Sequence, residues 1–201
     1  VGGHFDHLGY GDSSSRMTAE EEGSVHNGAD DNASGVALTL EVAEALVSAR
    51  REGDWKRGVI FALWSGEELG LLGSGHFAKN PPVPLEQITA YFNFDMVGRL
   101  KDNRLILQAV GSSSGWRKLI EMKNLKAGFQ LAIEDDPYLP TDVSSFYVRK
   151  IPCLNFFTGS HELYHRPGDD PETLNYEGLF RISELAFRMI SETLTQDDRL
   201  D

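Results

Sequence analysis

The sequence predicts an α/β fold, a mostly parallel central β-sheet sandwiched by helices. Two patterns predict it. Short apolar runs rich in strand formers recur along the chain. They alternate with longer segments whose apolar residues step by three and four. At 201 residues the chain is long enough to bury a core and fits a single domain over 1–201.

The elements follow in order. Residues 1–8 read as the end of a strand followed by a loop. The chain opens at Val1-Gly2-Gly3-His4 without Met, as an N-terminally truncated fragment or processed form would. Residues 9–28 are polar, aperiodic and rich in Gly, Ser and Glu, so they read as a surface loop. A helix is predicted over 33–51, with Val36, Leu40, Ala43, Leu46 and Val47 as its apolar face. A charged turn through Gly53 and Asp54 follows. Residues 58–64, bounded by Gly58 and Ser65-Gly66, read as a buried strand, and a short helix over 69–79 stops at Pro81 and Pro82. Strands are predicted over 88–94 and 104–110, a helix over 116–125 and an edge strand over 129–133. Thr141 or Asp142 caps a short helix over 142–149. A strand over 151–157 and a loop over 158–171 lead to the last helix, 177–194. That helix turns Leu179, Ile182, Leu185, Ala186, Met189 and Ile190 inward.

Nineteen basic against 31 acidic residues give a formal net charge of -12. This argues against nucleic acid or an anionic membrane surface as the main partner. No stretch is long and apolar enough to span a membrane, and no signal peptide is recognisable. The one cysteine, Cys153, cannot form an intrachain disulfide and reads as a buried thiol within an apolar run.

Sheets of this kind bind ligands at the carboxyl ends of their strands. The residues just past each apolar run are therefore candidates. His4 ends the first strand, with Asp6 two residues on. Glu67 and Glu68 follow 58–64, and Asp95 follows 88–94. The loop after 151–157 carries His161, Tyr164 and His165. Asp30 and Asp31, with Asn32, stand among small residues at the head of the helix after the first strand. Each has an ordinary structural explanation when taken alone. Asp-Asn at a helix start is a cap, Glu67-Glu68 is a solvated first turn, and a lone histidine is packing or loop decoration. Together they fall where the fold places a site.

Two histidines and three carboxylates suit a pair of divalent ions, with zinc the usual choice for hydrolysis. A bridging carboxylate can hold two metals about 3.5–4 Å apart with water between them. A further carboxylate, off the metals, must take the proton of that water. The neighbours Glu67 and Glu68 can divide these tasks.

The motifs carrying this set are Gly2-Gly3-His4-Phe5-Asp6, Gly28-Ala29-Asp30-Asp31-Asn32-Ala33-Ser34-Gly35, Glu67-Glu68-Leu69-Gly70-Leu71-Leu72-Gly73-Ser74, Asn93-Phe94-Asp95-Met96 and Tyr164-His165. In kind and order they resemble the M28 zinc aminopeptidases, the bacterial leucine-aminopeptidase type akin to glutamate carboxypeptidase II. The resemblance implies the zinc-peptidase architecture, related to phosphorylase/hydrolase-like folds, two Zn2+ ions (with Mn2+ or Co2+ as substitutes) and peptide substrates. It implies that Asp31 bridges both ions, that His4 and Asp95 complete one site, and that Glu68 and His165 complete the other. It makes Glu67 the general base and acid, Asp6 the residue that orients His4, and Tyr164 the donor to the developing oxyanion. It also implies a cis Asp31–Asn32 peptide, and a secreted or periplasmic setting.

There are departures. The family has further strands and a helix before Gly-Gly-His. Val143 stands where many relatives have His. His7, His26, His76 and His161 match no ligand position. Other functions on this scaffold are a one-zinc glutaminyl cyclase, a carboxypeptidase or dipeptidase, and a non-catalytic binding domain. A carboxypeptidase would offer basic residues to a substrate carboxylate, for which Arg99, Arg149 and Arg166 are candidates. Loss of ligands or of the general base would mark a binding domain, and all are present.

Overall fold

The computed structural model describes residues 1–49, 55–197, 199 and 200. Its strands are β1 (Gly2–His4), β2 (Ala62–Trp64), β3 (Tyr91–Phe94), β4 (Arg104–Gln108), β5 (Gln130–Ile133) and β6 (Cys153–Phe157). They form one sheet in the spatial order β2-β1-β3-β6-β4-β5. The first four in that order run parallel, whereas β4 pairs antiparallel with β6 and parallel with β5. The sheet is mostly parallel, as predicted, but built from two blocks of opposite direction. The carboxyl ends of β1, β2, β3 and β6 therefore share one rim, and those of β4 and β5 lie at the other. No candidate ligand follows 104–110 or 129–133, and the topology accounts for this.

The helices are α1 (Gly35–Ala49), α2 (Leu72–Lys79), α3 (Gly115–Ala127), α4 (Val143–Tyr147) and α5 (Tyr176–Thr195). Strand side chains alternate between the two faces. Phe92 and Phe94 of β3 join the larger core with Leu38 and Val42 of α1, Trp116 of α3 and Leu185 of α5. Tyr91 joins a smaller core with Trp64, Phe146 of α4 and Phe77 of α2. Helices thus cover both faces. In α5 the cap is Asn175, whose side-chain oxygen accepts from the Gly178 amide at 2.8 Å. Ile182, Leu185, Ala186, Met189 and Ile190 are buried as predicted, with Leu179 packed at the margin.

Two expectations need correction. The apolar face of α1 is rotated from the predicted one. Gly35, Leu38, Thr39, Val42 and Leu46 are buried, while Leu40 is 58% and Val47 74% exposed. Gly35 sets this phase, because a Cβ there would stand 2.3 Å from the Phe94 carbonyl oxygen. At about 100° per residue from Gly35, Val42 and Leu46 return to the sheet and Leu40 and Val47 turn away. Arg51, the expected end of the helix, lies outside the described residues, as do Gly53 and Asp54. The run 58–64 is not a buried strand. β2 is an edge, paired on one side by β1, and Ile60, Phe61 and Leu63 are partly exposed.

The corrected phase is testable by urea unfolding. Leu46→Ala should cost about 2–5 kcal/mol, and Leu40→Ala no more than about 0.5 kcal/mol. Equal losses would contradict it. Among the described residues no helix is long and apolar enough to cross a membrane.

Candidate metal centre

The rim formed by β1, β2, β3 and β6 gathers the predicted residues. His4 is the last residue of β1, and Asp95 directly follows β3. Between β1 and α1 the chain makes an irregular turn over Ala29–Ser34, in which Asp31 and Asn32 leave helical backbone geometry. The peptide joining them is cis, as expected. Asn32 stitches this turn to the end of β3. Its Nδ2 donates to the Phe94 carbonyl at 2.9 Å, and its Oδ1 accepts from the amides of Gly35 (3.1 Å) and Met96 (3.2 Å). Asp95 lies between two of those partners, so Asn32 sets the position of Asp95 relative to Asp31. Gly35 of this motif serves the same contact. The group approaching Gly35 is the backbone of β3, rather than an ion.

Glu67 and Glu68 occupy a turn after β2. This turn delays the start of α2 to Leu72, three residues later than predicted. The Asp6 carboxylate fixes the turn by accepting from the amides of Glu67 (3.1 Å) and Glu68 (3.3 Å). Toward His4 the nearer group is the Asp6 backbone. The Asp6 carbonyl lies 3.1 Å from His4 Nδ1, and the carboxylate 3.8 Å. Asp6 thus orients His4 mainly through its carbonyl, and the Glu67-Glu68 turn through its side chain.

The functional atoms converge on Asp31. Asp31 Oδ1 lies 3.3 Å from His4 Nε2, and Oδ2 lies 3.2 Å from His165 Nε2. His4 Nε2 is also 3.7 Å from Asp95, and His165 Nε2 is 3.2 Å from Glu68. Both imidazoles have their Nδ1 committed to backbone carbonyls, of Asp6 at 3.1 Å and of Ser14 at 3.0 Å. Those bonds favour the tautomer that leaves Nε2 as the ligating nitrogen. Two overlapping donor groups result, each with all atoms within 4.8 Å: His4, Asp31 and Glu68; and His4, Glu67 and Asp95. His4, Asp31, Asp95 and His165 are all buried.

The electrostatics call for positive charge. Burial opposes protonation of His4, yet Asp31 and Asp95 hold it up at about 12. Burial likewise opposes His165, which Asp31 and Glu68 raise to about 10. Asp31 is buried, but His165 and His4 hold it well below the usual carboxylate range. Glu68 is part-buried, and His165 and His7 keep it low against that burial. Glu67 differs. Burial pushes it up to about 8, against the pull of His4 and with the help of Asp95, Asp142 and Glu68. With Asp142, which burial raises to about 6, it is a carboxyl placed to exchange a proton near neutral pH. Imidazole nitrogens and carboxylate oxygens facing one another, with no lysine or arginine among them, are a donor set that fits zinc or a similar divalent ion.

Tyr164 stacks on His165, with ring centroids 3.8 Å apart. Of the remaining histidines, His7 Nδ1 lies 3.0 Å from Glu68 Oε1, and His26 Nε2 lies 2.7 Å from the Ser15 hydroxyl. His161 Nε2 lies 3.2 Å from Asp30, behind the centre, and His76 is exposed on α2. The segment 9–28 is more than a surface loop. The Ser14 carbonyl bonds the His165 ring, the Arg16 amide donates to the His165 carbonyl, and Glu21 pairs with Arg166. Val143 is fully buried in the smaller core. The three arginines of interest are all engaged: Arg99 with Asp169, Arg149 with the Ser145 carbonyl, and Arg166 with Glu21.

The family profile described as Peptidase family M28 matches residues 1–190. The chain is 28% identical over 200 residues to a probable leucine aminopeptidase 2 of Aspergillus oryzae, covering 85% of this chain and 39% of that one. Among solved structures it is similar to BSAP, a zinc aminopeptidase from Bacillus subtilis, at 26% identity and a TM-score of 0.72, covering 85% of this chain and 43% of that one. It also resembles the LapA aminopeptidase of Legionella pneumophila in fold, at 24% identity and a TM-score of 0.77, covering 98% of this chain and 51% of that one. The chain thus spans about half or less of the length of the proteins it matches.

Proposed function

The chain belongs to peptidase family M28, and we propose that it is a dinuclear zinc exopeptidase that removes N-terminal residues from peptides. The observation carrying this reading is the division of the Asp31 carboxylate, one oxygen toward each imidazole Nε2. A carboxylate so placed would be shared between two ions. His4 and Asp95 would hold one, and Glu68 and His165 the other. Zinc bound there supplies the charge that polarises a substrate carbonyl and acidifies the attacking water.

The side chains supply the rest. Glu67 takes the proton of the attacking water and returns it to the leaving amine. Asp6 holds the Glu67 amide and so fixes where that carboxylate reaches. Tyr164 donates its hydroxyl to the developing oxyanion. Burial and the charges of Asp31 and Glu68 raise its pKa, which keeps the hydroxyl protonated as a donor.

The carboxylate-rich rim favours a substrate that presents an ammonium group. Arg99, Arg149 and Arg166, the candidates for holding a carboxylate, are already engaged within the protein. Zinc-loaded protein should therefore cleave leucine-p-nitroanilide but not its N-acetyl derivative. A chelator should abolish the activity and zinc restore it. Release of residues from a peptide's carboxyl end, or cyclisation of N-terminal glutamine, with leucine-p-nitroanilide left intact, would overturn the reading.

A further inference from the structure

Asp169 lies four residues beyond His165 and is fully buried. Its Oδ2 accepts from the amides of Asp30 (2.9 Å) and Asp31 (3.0 Å), and its carbonyl accepts from the Ala29 amide (2.9 Å). Its Oδ1 accepts from Arg99 Nη2 at 2.8 Å. Its own amide donates to the Arg166 carbonyl at 3.1 Å, within the loop that carries His165. Three successive amides of the turn that presents Asp31 thus end on one residue of the loop that presents His165.

These amides head an irregular helical turn and have no partner of their own within it. An ionised acceptor makes shorter and stronger bonds to them than a neutral one. The position of the acceptor, in turn, is set by the short span back to His165. We infer that Asp169 is the positioning residue that holds Asp31 and His165 at their ligating separation, with Arg99 as its counter-charge. This rests on the metal reading above and names a residue through which the two ligands are coupled. An alternative role, a buried ion pair with Arg99 that only stabilises the fold, uses the other oxygen and can be separated from it.

The test measures zinc affinity of the full chain by competition with a chromophoric chelator, together with the visible spectrum of the cobalt(II) form. Both are taken where circular dichroism shows the variant folded. Loss of a group that supports a ligand costs about 10–100-fold in metal affinity, and Asp169→Ala should fall in that range with an altered cobalt spectrum. Arg99→Met should lose clearly less affinity than Asp169→Ala, because it removes only the counter-charge and leaves the supporting carboxylate in place. Asp169→Ala takes from the part-buried Arg99 its nearest carboxylate, leaving it only Thr173 and, at 4.0 Å, Asp30, which is itself destabilising. If that variant does not fold, Asp169→Ala/Arg99→Met is compared with Arg99→Met alone, and the same drop is expected between them. Wild-type affinity and spectrum in the folded Asp169 variants, or an equal loss in Arg99→Met, would overturn the inference. Wild-type protein that binds no zinc would sink the metal reading and this inference with it. Wild-type protein that binds zinc but cleaves no peptide would sink the aminopeptidase reading alone.

Discussion

Asp31→Asn should strip the centre of metal and of activity together. The substitution keeps the backbone, the size of the side chain and the two amide bonds to Asp169. What it removes is the negative charge and the second anionic oxygen, on which both proposed metal positions would depend. Losing a group that merely supports a ligand costs about 10–100-fold in metal affinity, so losing the shared ligand should cost more than about 100-fold. Protein dialysed against nanomolar zinc would then retain less than one ion per chain by mass spectrometry. Peptidase activity should fall in step. A variant that still carries two zincs and full activity would show that Asp31 does not bridge.

Glu67→Gln should do the opposite to the metal and nearly as much to the rate. The amide side chain cannot take a proton from water, and general acid–base catalysis contributes about 10²–10⁴-fold. The turn itself should survive, since the Asp6 carboxylate grips the backbone amide and not the Glu67 side chain. The expected result is a kcat lowered by about 10³-fold, with KM and zinc content unchanged. The grouping of Glu67 with His4 and Asp95 within 4.8 Å makes a second outcome concrete. If Glu67→Gln loses zinc while Glu68→Gln keeps it, the two neighbours have exchanged roles.

The gathering of His4, Asp31, Glu67, Glu68, Asp95 and His165 was legible in the sequence for a physical reason. A parallel sheet aligns the carboxyl ends of its strands, so residues far apart in the chain share a rim once the strands are located. The same logic is silent about β4 and β5, whose direction is reversed. What was not legible depends on tertiary contact. The phase of α1 is set by Gly35 against the Phe94 carbonyl, which no periodicity reveals, and Leu40 and Val47 are as apolar as the residues that do face the sheet. The edge position of β2 reflects how many neighbours it has, and its composition is that of a central strand.

Supporting groups were the hardest to find. His165 Nδ1 bonds the Ser14 carbonyl, and a main-chain acceptor leaves no mark in the sequence. His7, one residue past Asp6, did leave one, as an extra histidine just after the first motif, and it lies against Glu68. Asp169 stands four residues after His165, a spacing that by itself marks nothing. Its partners are backbone amides, and only the folded turn brings them to it.

The most direct measurement is the zinc stoichiometry of the wild-type chain, titrated by mass spectrometry alongside hydrolysis of leucine-p-nitroanilide. A bridging Asp31 flanked by His4 with Asp95 and by His165 with Glu68 predicts two ions per chain, and activity that reaches its plateau only as the second binds. Saturation at one ion with full activity would contradict a dinuclear centre.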